Sequence, residues 1–109
     1  MARIDVKALS LNHAYRGRRF STNELMLFKR QFISELKPIF DFPYGRHLKV
    51  SYIFGVSSKA SDVDNLVKTT QDCLATAYGF NDKMIYRIEV EKVDVKKGEE
   101  YIEFLISKL

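Results

Sequence analysis

At 109 residues, with 46% hydrophobic and 29% charged side chains, the chain has the make-up of a single soluble globular domain and little room for a second. Its formal charge of +4 favours polyanionic partners, though only mildly. The lone cysteine, Cys73, excludes an internal disulfide framework, and no apolar run approaches the roughly 18 residues that cross a bilayer.

The start "MARIDVKALS" lacks a signal-peptide core, so a cytoplasmic location with no membrane partner is expected. Residues 2–8 alternate Ile4, Val6 and Ala8 against Arg3, Asp5 and Lys7, which predicts a half-buried strand. Residues 9–20 (LSLNHAYRGRRF) read as a polar, basic loop. Ser21 and Glu24 have the spacing of a capping box. Leu25, Phe28, Phe32 and Leu36 then recur at helical spacing until Pro38 stops the helix. Residues 38–46 are turn-rich, and residues 47–55 alternate Leu48, Val50, Tyr52 and Phe54 as a second strand.

A second helix is predicted from Asn65 to Ala77, with Leu66, Cys73 and Leu74 on its apolar stripe and Gly79 as terminator. Residues 84–95 form a long strand with Tyr86, Ile88 and Val90 on one face. Its apolar positions change phase after Lys92, to Val93 and Val95, which predicts a bulge or a strong twist. Residues 96–100 (KKGEE) read as a hairpin turn, and Ile102, Phe104 and Ile106 align on the returning strand. The expected fold over residues 1–109 is α/β (α+β): a small mixed sheet with two main helices in the order β-α-β-α-β-β.

The chemistry concentrates at "SDVDNLVK", residues 61–68. In a continuous helix Asp62 and Asp64 would point about 200° apart. If the chain stays extended up to Asp64, the two carboxylates share one side. Asp62 is therefore placed just outside the helix and Asp64 at or near its first position, with Lys68 one turn along and Asp72 a turn further. Two readings of the acids stand. They cap the helix, since Asp and Asn are favoured there and negative charge suits a helix N-terminus. Or they bind a hard divalent cation, which offsets a repulsion of about 2–3 kcal/mol between carboxylates ~6 Å apart. Asp82, in the turn before the long strand, adds a third acid, and Asp62, Asp64 and Asp82 with Lys68 could hold Mg²⁺ and stabilise charge on a phosphodiester. Lys68 reads equally as an ion-pair partner on the helix face.

Residues 61–107, "SDVDNLVKTTQDCLATAYGFNDKMIYRIEVEKVDVKKGEEYIEFLIS", resemble the RusA family of Holliday junction resolvases. The shared pattern is D-x-D-N-x-x-K, an Asp eight residues after the second acid, and G-F before an acidic turn and a strand. Upstream, "SLNHAYRGRRFST" is similar to the family's S-x-N and basic loop. The resemblance implies a Mg²⁺-dependent endodeoxyribonuclease (Mn²⁺ being the alternative ion) that nicks four-way DNA junctions symmetrically as a homodimer, of bacterial or phage origin. No small-molecule cofactor is implied. By position, Asp62, Asp64 and Asp82 match the essential acids, Lys68 the catalytic lysine and Asn12 the asparagine of the N-terminal motif. Two departures are Asn81, where many members carry another acid, and "SSKASD", where many have arginines.

Arg16, Arg18 and Arg19 make a compact basic patch suited to sequence-independent phosphate contacts, or else a solvated surface loop. Chain reach bears on assembly. The second helix would run roughly 19 Å, and the five residues after it retrace at most about 17 Å, so Asp82 reaches its own Asp64 only if the helix is shorter. An antiparallel helix pair in a two-fold dimer would instead bring each Asp82 to the partner's acid pair. The rival function is a catalytically silent DNA-binding regulator of phage origin, and a third is a small interaction domain whose acids only cap a helix.

Overall fold

The alternating segment around Tyr52 becomes the centre of the molecule: Leu48–Val56 forms strand β4, with Leu48, Val50, Tyr52 and Phe54 buried. The structure, a computed structural model, describes residues 1–10, 15, 16 and 20–109. Around β4 the chain orders β1 (Ala2–Ile4), β2 (Tyr15–Arg16), β3 (Phe20–Ser21), helix α1 (Asn23–Ser34), helix α2 (Val63–Tyr78), a 3-10 turn (Asp82–Met84), β5 (Ile85–Asp94) and β6 (Tyr101–Lys108). Four strands form one mixed sheet in the order β1-β6-β4-β5, and only β4–β5 is parallel. The α+β class, mixed sheet and two main helices are as expected. A two-residue ribbon, β2–β3, lies within the stretch expected to be a loop.

Register sets the core. Tyr52 stands opposite Phe104, Phe54 opposite Ile102, Val50 opposite Ile106 and Ile4 opposite Ile102, so these side chains share one face. α1 covers that face with Leu25, Phe28 and Phe32, and α2 covers it with Leu66, Cys73 and Leu74. Each such side chain contributes about 1.5–3 kcal/mol by leaving water. Buried Tyr52 keeps its hydroxyl satisfied by donating to Gln71 Oε1 at 3.1 Å. Burial pushes the Cys73 thiol up to about 11, in keeping with a small core residue.

On the opposite face Lys49 pairs with Glu89 at 2.8 Å, and the Arg3 guanidinium lies 3.9 Å from the Tyr101 ring centre. That ring covers Gly55, where a Cβ would come within 2.4 Å of it.

Five local expectations change. The N-cap of α1 is Thr22, not Ser21: its extended backbone lets Thr22 Oγ1 accept from the Leu25 N–H at 3.2 Å. β1 ends at Ile4, because its partner β6 begins at Tyr101 and pairing ends with Ile4↔Ile102, although Val6 stays buried. α2 starts at Val63, two residues before Asn65, and runs one residue past Ala77 to Tyr78. The irregularity in β5 falls at Tyr86, between the pairs Leu48↔Ile85 and Lys49↔Arg87, and the register is unbroken at Lys92. Residues 96–100 do not close a hairpin: β6 crosses the end of β4 and pairs with its far side. Ile102 and Phe104, buried in the sheet interior, take the central place, while Arg87, Glu89 and Glu91 suit the edge strand.

Candidate active site

α2 opens on the paired acids. Asp62 is its N-cap residue with extended backbone (φ −83°, ψ 130°), and Asp64 sits in the first turn. This is the arrangement in which the two carboxylates avoid opposite faces of a helix. Asp62 makes no side-chain capping hydrogen bond, so the capping reading lacks the bond that gives a cap its stabilisation. Both aspartates are exposed, and the positive end of the helix dipole lies beside them. Hard oxygen donors with this charge suit Mg²⁺ better than a soft metal.

One turn on, Lys68 links two further acids. Its Nζ lies 3.1 Å from Asp72 Oδ1 and 3.8 Å from Asp82 Oδ2. Asp82 of the same chain thus comes back along α2 as far as the reach of the Lys68 side chain, within the bound set by chain reach. Gly79 ends the helix in the left-handed region (φ 70°, ψ 39°), and its N–H donates to the Ala75 carbonyl at 2.9 Å. Asn81 Oδ1 accepts from the Lys83 N–H at 3.0 Å and starts the 3-10 turn whose first residue is Asp82. The chain therefore needs to retrace only to the level of Asp72, about 9 Å of helix below Tyr78, and the lysine side chain spans the rest. Asn81, which departs from the family pattern, is engaged in capping this turn.

Lys68 and Asp72 are brought together with Asp82, while Asp62 and Asp64 stand at the helix start. Among the described residues no group of three or more His, Cys, Asp or Glu side chains is close enough to hold a metal ion. Asp62, Asp64 and Asp82 are not gathered into such a group among the described residues.

Asp62 opens onto a groove of about 560 Å³ lined also by Lys7, Ser10, Glu24, Ser61 and Asn65. The Thr69 hydroxyl, buried in α2, donates to the Leu9 carbonyl, which ties the root of the basic segment to the helix carrying the acids. Arg16 falls in β2, whereas Asn12, Arg18 and Arg19 lie outside the described residues. No helix of the described residues is long and apolar enough to cross a membrane.

One contact was missed in the sequence. Lys92 Nζ donates to the carbonyls of Ser61 at 2.8 Å and Lys59 at 3.4 Å, holding the loop that leads to Asp62. The signal is the phase change after Lys92, which predicts a bulge or a strong twist.

Residues 29–104, well over half of the chain, match the family described as endodeoxyribonuclease RusA. The match spans Asp62, Asp64, Lys68, Asp72 and Asp82 and begins after the basic segment. No curated protein matches the chain. The acid pair at the mouth of α2, the lysine one turn along and the acidic turn before β5 all lie in the matched stretch, and the chain belongs to the RusA family of endodeoxyribonucleases.

Proposed function

We propose that the protein is a Mg²⁺-dependent Holliday junction resolvase, a homodimer that cuts four-way DNA junctions by paired symmetric nicks. The observation that carries this reading is the start of α2. There Asp62 and Asp64 stand exposed one residue apart with Lys68 a turn along, inside the stretch matched to the nuclease family.

Asp62 and Asp64 would hold the ion, with Mn²⁺ as an alternative, and an Asp82 carboxylate would complete the set. When bound, the ion lowers the cost of forming hydroxide from water and of charging the phosphodiester oxygens. Lys68 offers its ammonium to the phosphate, or to the oxygen that leaves as the P–O bond breaks. Because each Asp82 sits on its own Lys68, the Asp82 that reaches an acid pair is assigned to the second protomer.

The edge of the sheet supports such a dimer. Lys92, whose ammonium touches the loop before Asp62, lies seven residues along β5 from Ile85, roughly 23 Å at 3.3 Å per residue. The 3-10 turn that Asp82 opens leads directly into the start of the same strand. The two parts of the site therefore lie towards opposite ends of β5, an edge strand with Tyr86 and Ile88 exposed. A two-fold, antiparallel meeting of β5 edges brings each Asp82 towards the partner's acid pair. It also yields two equivalent sites, which suits a two-fold junction. Asn12, Arg16, Arg18 and Arg19 would grip phosphates with salt-dependent affinity.

The test is a synthetic four-way junction incubated with and without Mg²⁺, using wild type and Asp64→Asn. Symmetric nicking that requires Mg²⁺ and vanishes in the variant is expected. Junction binding without cutting would instead identify a silent DNA-binding regulator, and neither binding nor cutting would overturn both readings.

A further inference from the structure

Ile88, Val90 and Lys92 occupy alternate positions of β5, opposite Val50, Tyr52 and Phe54 of β4. The first two continue the apolar face. The third is a lysine opposite fully buried Phe54. The register runs unshifted on to Val56↔Asp94, so no bulge turns Lys92 to the other face. Its half-buried stem follows the apolar surface, and its ammonium reaches the loop between β4 and α2, where the Ser61 and Lys59 carbonyls accept from it. No carboxylate of the described residues forms an ion pair with it.

Such a lysine is a poor choice for stability. Drawing an ammonium out of water without a counter-charge costs free energy, and neutral carbonyls only partly offset it. A methionine of similar length would fill the same space without that cost. What the lysine does hold is the approach to Asp62. Within the loop, the Ser61 N–H reaches the Ser58 carbonyl only at 3.3 Å, and the Ala60 N–H reaches Ser58 Oγ at 3.3 Å. The Lys92–Ser61 bond, charge-assisted and 2.8 Å long, is the shorter restraint. It grips the carbonyl of the peptide whose N–H belongs to Asp62, so it sets the plane from which the Asp62 side chain departs.

We propose that Lys92 is a positioning residue: it orients the Ser61–Asp62 peptide so that the Asp62 carboxylate is presented beside Asp64 for a divalent cation. The proposal rests on the nuclease reading of Asp62. The decisive variants are Lys92→Met and Lys92→Arg, the latter keeping a charged donor. Each is measured by thermal unfolding, by amide hydrogen exchange over residues 58–62, and by the Mg²⁺ concentration giving half-maximal junction nicking. For Lys92→Met the expected result is an unchanged or higher unfolding midpoint and faster exchange in the loop. Its Mg²⁺ requirement should rise about 10- to 100-fold, as for other supports of metal-binding side chains. Lys92→Arg should recover part of both losses.

A Met variant with the wild-type Mg²⁺ curve or wild-type exchange overturns the proposal. So does one that unfolds, since Lys92 would then be a stabilising residue. If the wild type itself cuts nothing, the nuclease reading fails, and exchange alone decides whether Lys92 holds the loop.

Discussion

Replacing Lys68 by methionine should separate catalysis from stability. Lys68 is half exposed (51%), as are its partners Asp72 (30%) and Asp82 (40%) to a lesser degree. At such separations a pair of unit charges is worth about 1 kcal/mol in water. Side-chain entropy and salt leave exposed pairs with about 0.2–1 kcal/mol each. Methionine keeps most of the aliphatic stem, so the loss of stability should be about 1 kcal/mol, a fall of roughly 5 °C in the unfolding midpoint. Catalysis has more to lose. Removing one preformed group that meets charge developing in the transition state typically lowers the rate about 100- to 1,000-fold, or about 2.7–4 kcal/mol. Thermal unfolding and single-turnover nicking at saturating enzyme and Mg²⁺ read the two quantities apart from junction affinity. A nicking rate within about fivefold of wild type would remove Lys68 from the chemistry. A stability loss above about 2 kcal/mol would show that the ion pairs had been undervalued.

Mixing Asp64→Asn and Asp82→Asn subunits, each inactive alone, should restore nicking in confirmed heterodimers, because one of their two composite sites is intact. No recovery would return Asp82 to its own chain's site. Alkaline stability gives an independent check of the core. The Cys73 thiol, ordinarily near 9.0, is pushed up to about 11 by burial, so the folded state holds its proton more tightly than the unfolded state. That contribution is complete below about pH 9 and is lost as pH rises towards 11, by roughly 1–3 kcal/mol. Tyr52 is raised by burial too, so urea midpoints should fall above pH 9, less steeply for Cys73→Ala. An unchanged slope would mean that the thiol is not sequestered.

The boundary between α2 and the loop before it was legible in the sequence because Asp62 and Asp64 can share a side only if the helix begins between them. The helical stripes at Leu25, Phe28 and Phe32 and at Leu66, Cys73 and Leu74 were legible for a similar reason: side-chain period follows from backbone geometry. The alternations at 48–54 and 102–106 likewise marked core-facing strands. The Thr22 cap was missed because Ser21 and Thr22 are both competent caps, and only packing of the helix decides between them.

Sequence alone thus determined which residues of the two helices and of β4 and β6 face inward, where the helices stop at Gly79 and before Pro38, and which side chains could bind a cation. Each of these depends on a few neighbouring residues and a fixed period. Only the tertiary structure decided that β6 pairs with β4 rather than β5, because strands compete for the sheet's centre through burial summed over the whole domain. It alone returned Asp82 to Lys68, through a turn whose path no local period encodes. It also gave Lys92 its meaning: a break in the apolar pattern became a contact with the Ser61 carbonyl, 31 residues away in sequence. Partners that distant are chosen by packing, and the phase of a strand records only that something other than burial placed a lysine there.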